Sequence, residues 1–158
     1  MGAHFDLERI KRLYSYDEWP PVRATDQPID IINLLQNRSG VFGWAIQSLR
    51  FVPATWIELF LSQGTKEKEG VLRVDVQVGE TAKQSNENLL SLLGRFELPG
   101  VKLKKDPGFG DRVFANDAGF VILFSRSNLV VQIRNITGAP IALWNIAQAI
   151  DKFLLYGG

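Results

Sequence analysis

Four oxygen-bearing side chains, Asp106, Asp111, Asn116 and Asp117, fall in two turns on either side of the short run Arg112-Val-Phe-Ala115. Hard oxygen donors gathered in this way suit calcium, which accepts carboxylates and amide carbonyls in flexible geometry. The same carboxylates, joined by Glu58 or Asp75, would serve as an acid/base pair for hydrolysis at the right separation. Sequence distance does not supply that separation. Against calcium, the chain has no Asp-x-Asp-x-Asp-Gly loop, and aspartates in turns commonly bond their own backbone. The expectation is therefore Asx-type turns with no metal, and Asp106, Asp111 and Asp117 stand as candidate ligand-binding residues without a catalytic role.

Other catalytic centres lack parts. His4 is the sole histidine and there is no cysteine, so a Ser-His-Asp triad has no base and a structural zinc site lacks its usual ligands. Gly108-Phe-Gly110 has the first spacing of a dinucleotide loop but neither a third glycine nor a long helix after it. Turn chemistry accounts for it, and no cofactor is expected. Lys102, Lys104, Lys105 and Arg112 form a small basic patch beside Phe109, but Asp106 and Asp111 neutralise much of it. A single-strand nucleic-acid surface needs aromatics interleaved with such charges along a groove, so nucleic acid is not expected as a partner. Of the four tryptophans, Trp56 and Trp144 sit in strongly patterned segments and read as buried or half buried. Trp19, next to two prolines in irregular chain, is the one expected to reach a protein or small-molecule partner, with packing over the sheet edge as the alternative.

Composition sets the class. The 158 residues suffice for one domain with a real core, and 46% hydrophobic with 22% charged residues is ordinary globular usage. Net charge is +1, from 18 basic and 17 acidic residues interspersed along the chain, so no long-range field marks it for polyanions. No run of about 18 apolar residues is present to span a bilayer. Charged residues begin at Asp6, unlike a signal peptide. Met1-Gly-Ala-His4 could stand in place of a removed leader, which leaves an extracytoplasmic location open.

The elements that must position these residues follow from periodicity. Leu7, Ile10, Leu13 and Tyr14 recur at helical spacing until Trp19-Pro-Pro21 stops the run. Thr25-Asp-Gln-Pro28 is a second start signal, with Ile29 to Leu35 either a short helix or a strand. Phe42 to Ile46, Ser48 to Val52 and Trp56 to Leu61 read as extended chain, and Gly64 to Gly70 as a charged hairpin tip. Val71 to Val78 alternates: Leu72, Val74, Val76 and Val78 face one way, and Arg73, Asp75 and Gln77 the other. Thr81 and Gln84 have capping-box spacing before a helix that gathers Ala82, Leu89, Leu92, Leu93 and Phe96 on one side. Short strands follow at Val101 to Lys104 and Arg112 to Ala115. Next comes a hairpin of Gly119 to Ser125 with Leu129 to Asn135, whose Val130-Gln132-Arg134 face is expected half wet. A closing helix from Ile141 to Tyr156 carries Leu143, Ile146, Ala147, Ile150, Phe153 and Leu154 as its stripe.

Strands joined mainly by hairpins predict an α+β single domain with an antiparallel or mixed sheet and helices packed on it. Residues 1–40 are a helical or irregular segment on a 41–158 core. The strand Leu129 to Asn135, the Gly138-Ala-Pro140 break and the helix ending Ile150-Asp-Lys-Phe-Leu154 are similar to the PsbP/Mog1-like α/β/α sandwich. Gly110-Asp-Arg-Val-Phe114 also resembles the Gly-Asp turn of bacterial extracytoplasmic domains of this shape. The resemblance runs from about Val71 onward and is topological. It implies a third layer and a non-enzymatic role. The function expected is a non-catalytic binding or accessory domain of a bacterial exported or surface protein, using the open sheet face or the Asp106 to Asp117 loops. The alternative is a carboxylate-dependent hydrolase. A deep pocket holding two carboxylates near one small substrate would favour the enzyme; acids confined to salt bridges would favour the module.

Overall fold

The structure, a computed structural model, describes residues 7–21, 27–52, 55–63, 70–96, 100–116, 120–136 and 142–157. In chain order it contains α1 (Leu7–Leu13), a 3-10 turn (Tyr16–Glu18), α2 (Ile31–Leu35), β1 (Gly40–Val41), β2 (Trp44–Val52), β3 (Trp56–Gln63) and β4 (Gly70–Val78). Then come α3 (Ala82–Phe96), β5 (Lys102–Lys104), β6 (Arg112–Ala115), β7 (Val121–Arg126), β8 (Leu129–Asn135) and α4 (Leu143–Tyr156). The eight strands form one antiparallel sheet in the order β1-β2-β3-β4-β8-β7-β6-β5. Hairpins make each half of this sheet, and the pairing of β4 with β8 joins the halves. The class is α+β.

Period-two alternation gives each strand two apolar faces where both are covered, and two cores result. Leu129, Val131 and Ile133 of β8, Val74 and Val76 of β4, and Ile122 and Phe124 of β7 share one core with Leu143, Ala147, Ile150 and Phe153 of α4 and Ile31 and Leu35 of α2. On the other side, Val130, Leu123 and Phe114 share a core with Leu89, Leu90, Leu92 and Leu93 of α3 and with Ile10, Tyr14 and Trp19. Helices therefore cover both faces, as an α/β/α arrangement. This corrects the half-wet expectation for β8: Val130 and Gln132 are buried because α3 lies over them, and only Arg134 keeps partial exposure.

Local signals account for the helix ends. Thr81 Oγ1 accepts from Gln84 N at 3.1 Å, and the Gln84 side chain reaches back to accept from Glu80 N, which satisfies two donors at the start of α3. The helix buries Leu90 beside Leu89 and Leu93, so its apolar stripe is wider than the spacing of Leu89, Leu92 and Leu93 suggested. Helix α2 begins at Asp30, whose Oδ1 accepts from Asn33 N at 3.1 Å; the Thr25-Asp26 start signal lies outside the described residues. Gly157, at φ +75°, closes α4 in the left-handed conformation and donates to Phe153 O at 2.7 Å. Phe42 to Val52 is less broken than the sequence implied. Strand β2 runs through, with a bulge between Ile46 and Ser48 that accounts for the lost alternation.

Candidate functional site

The residues singled out from sequence divide into three locations. Trp19 is 9% exposed: its indole packs edge-on against Phe114 with ring centroids 5.1 Å apart, and its Nε1 donates to Tyr14 O at 2.8 Å. It presents little surface to a partner. Asp106, at φ +52°, and Asp111 both line a cleft of about 350 Å³ with Glu18, Lys104, Lys105 and Arg112. Asp117 lies outside the described residues, as does His4.

Asp111 is committed within the fold. Its Oδ1 accepts from Arg126 Nη1 at 3.1 Å and its Oδ2 from Ser127 N at 2.7 Å. Arg126 also forms a two-pronged pair with Asp151 of α4, Nε to Oδ1 at 2.7 Å and Nη2 to Oδ2 at 2.8 Å, and Asp151 Oδ2 takes Gly110 N at 3.0 Å. This triad ties the Gly110 turn, the β7–β8 turn and α4 together. Asn116 Oδ1 accepts from Phe120 N at 3.0 Å, four residues on, a longer reach than the two-residue Asx turn. Lys105 pairs with Glu18 at 3.5 Å on the surface, and Arg112 is buried, donating to Pro20 O at 2.7 Å, so two of the four cations of the basic patch have these partners within the chain. Among the described residues no group of three or more His, Cys, Asp or Glu is arranged to hold a metal ion. Millimolar calcium, followed by a chelator, is expected to leave Tm unchanged, since a ligand held only by the native state must raise it. A calcium-dependent rise in a thermal melt would show that these loops do bind the ion.

The uncovered part of the sheet is a second candidate. On the α3 side, β3 and β4 carry Glu58, Phe60, Arg73 and Asp75. Asp75 is 3% exposed, yet it accepts from Trp56 Nε1 at 3.2 Å, from Arg73 Nε at 3.0 Å and from Arg134 Nη2 at 3.4 Å. Arg73 also reaches Glu58 at 3.5 Å, Glu58 reaches Arg50 at 3.7 Å, and the Arg73 guanidinium lies 5.6 Å from the centre of the Phe60 ring. Burying a carboxylate is costly unless it is paired and hydrogen-bonded, and the register sets like charges directly opposite, Glu58 against Asp75 and Arg73 against Arg134. The pairing therefore runs along and diagonally across the strands, from Arg73 to both Asp75 and Glu58 and from Arg134 to Asp75.

A larger concavity lies elsewhere. A groove of about 840 Å³ runs between the β1–β2 turn and the C-terminal half of α4. Val41 pairs with Trp44 across the two-residue turn Phe42-Gly43, whose φ angles of +38° and +84° are those of a type I′ hairpin. Gly40 permits the close return, because a Cβ there would stand 2.8 Å from Trp44 O. Phenylalanine at positive φ is costly, and here the turn lays the Phe42 ring against Phe153, centroids 6.4 Å apart in an edge-to-face contact. The Arg38 guanidinium lies 4.9 Å from the Phe153 ring centre and donates from Nε to Leu34 O at 2.7 Å and from Nη2 to Gly157 O at 3.0 Å. It thereby joins the ends of α2 and α4. Tyr156, 76% exposed, and Ala149 complete the apolar wall, and Lys152 stands at the rim.

Sequence reasoning passed over this groove. A signal was present in Val41-Phe-Gly-Trp44, where a glycine at the second position of a two-residue link marks a hairpin. The bulky residue before it hid the turn, and nothing in the order of residues places that turn against α4. The site rests on its own geometry, for no protein-family model, no curated protein and no solved structure matches the chain.

Proposed function

We propose that the chain is a non-catalytic binding or accessory module that takes a ligand with an apolar body into the groove between the β1–β2 turn and α4. The observation carrying this reading is the groove itself: about 840 Å³, within the size range of small-molecule sites. Aromatic rings wall it, a strained hairpin residue shapes it, and no acidic side chain among the described residues lines it. A carboxylate hydrolase would need two acids facing one cavity. In the 350 Å³ cleft, which Glu18, Asp106 and Asp111 line, Glu18 is paired with Lys105 and both Asp111 oxygens are occupied. This leaves Asp106 as the one acid there without a partner among the described residues and supports the module over the enzyme. The setting in a bacterial exported or surface protein belongs to the same proposal, through the PsbP/Mog1-like resemblance from Val71 onward.

Binding of N-phenyl-1-naphthylamine, an uncharged apolar fluorophore, tests it. Its emission should rise on mixing with the protein, and Ala149→Trp, which places an indole in the groove, should remove the rise while the far-ultraviolet circular dichroism stays unchanged. No rise with the native chain, or an equal rise with Ala149→Trp, would overturn the reading.

A further inference from the structure

Among the described residues that line the groove, only Arg38 and Lys152 are charged, and both are cations. The chain has nearly equal numbers of acidic and basic residues, and two other groups of buried or half-buried charges, around Asp75 and around Arg126, come as mixed-sign clusters. A groove with aromatic walls and cations alone at its rim departs from that pattern. The two cations differ in availability. Arg38 is held in place by two helix-end carbonyls and by the Phe153 ring. Two of its five N–H groups make those bonds, so the guanidinium is oriented before any ligand arrives. Lys152 is exposed, one turn before the end of α4, and makes no ion pair with a described residue. The negative end of the helix dipole favours a cation there, but that would be satisfied by a lysine on any side of the last turns. This one stands on the groove side.

From this arrangement we infer that the groove binds an amphipathic monocarboxylate: an acyl chain lies against Phe42, Ala149, Phe153 and Tyr156, and the carboxylate is held by Lys152 with the Arg38 guanidinium behind it. The inference rests on the binding reading above and gives that site its ligand class. The apolar chain supplies burial, which is non-directional. The carboxylate supplies orientation, because a charge-assisted hydrogen bond at a partly desolvated rim is about twice as strong as a neutral one. An acidic ligand also meets no acidic side chain among the described residues that line the groove.

Calorimetric titration of the full chain with dodecanoate and with dodecan-1-ol, each below its aggregation threshold, separates the two readings. Dodecanoate should bind about tenfold or more tightly than the alcohol. Lys152→Gln, a change at an exposed position, should bring dodecanoate down to the affinity of the alcohol and leave the alcohol unaffected. Lys152→Glu should weaken dodecanoate further, and raised salt should weaken dodecanoate but not dodecan-1-ol. Equal binding of both ligands to the native chain would overturn the carboxylate assignment while leaving an apolar-ligand module. Binding of neither would remove both readings. A concentration-dependent dimer that excludes dodecanoate would assign the groove to a second copy of the chain and overturn the inference.

Discussion

Arg126→Ala is expected to lower unfolding stability by about 3–5 kcal/mol, because it leaves two carboxylates in the interior without their cation. The side chains of Asp111 and Asp151 are 11% and 6% exposed, and Arg126 meets three of their four oxygens. The backbone N–H groups of Ser127 and Gly110 remain as partners after the change, but two neutral donors do not replace a guanidinium. Arg126→Lys should recover only part of the loss, since an ammonium is a point charge without the planar fork that matches a carboxylate. Replacing all three residues together with apolar side chains of similar volume should cost far less than Arg126→Ala, because no buried charge then stands alone. Urea denaturation of the four proteins checks the order. A loss below about 1 kcal/mol for Arg126→Ala, the range of an exposed pair, would mean that water reaches the two aspartates, and would remove the triad as the tie between β7 and α4.

Deleting Met1 to Gly40 should be more damaging still. The segment contributes Ile10, Tyr14 and Trp19 to the core on the α3 side and Ile31 and Leu35 to the core on the α4 side. Five buried side chains at about 2 kcal/mol each come to roughly 10 kcal/mol, which is comparable to the whole stability of a domain. The deletion also removes Gly40, which pairs with Ala45 in β1, and the Arg38 bridge between α2 and α4. The shortened chain should expose apolar surface on both sides of the sheet and aggregate, which light scattering and circular dichroism would detect. A monomeric product that melts cooperatively near the native Tm would show that these residues are an appendage and that the two cores close without them.

Sequence periodicity alone determined the strands from Trp56 to Val78, the hairpin around Ser127, and helices α3 and α4. Each of these repeats apolar residues at its own period over enough residues for the pattern to stand out, and local signals such as Thr81 with Gln84 mark an end. The chain's composition also determined that triad, thiol and zinc chemistry lack their residues. Tertiary structure decided which faces are wet. The alternation in β4 places Arg73 and Asp75 together on one face, where they pair, but only the register across β3, β4 and β8 gives Asp75 its further partners Trp56 and Arg134. The Val130-Gln132 face reads as half wet from its own strand and is buried because α3, which ends at Phe96, lies over it. Asp111 stands out in sequence as a turn aspartate, and its second role depends on Arg126 and on Asp151 from the closing helix, which no spacing connects. The groove is the clearest case. Its walls come from a hairpin near residue 42 and a helix near residue 153, and a concavity between elements more than a hundred residues apart has no local pattern, because it is produced by how the layers stack and not by the conformation of either one.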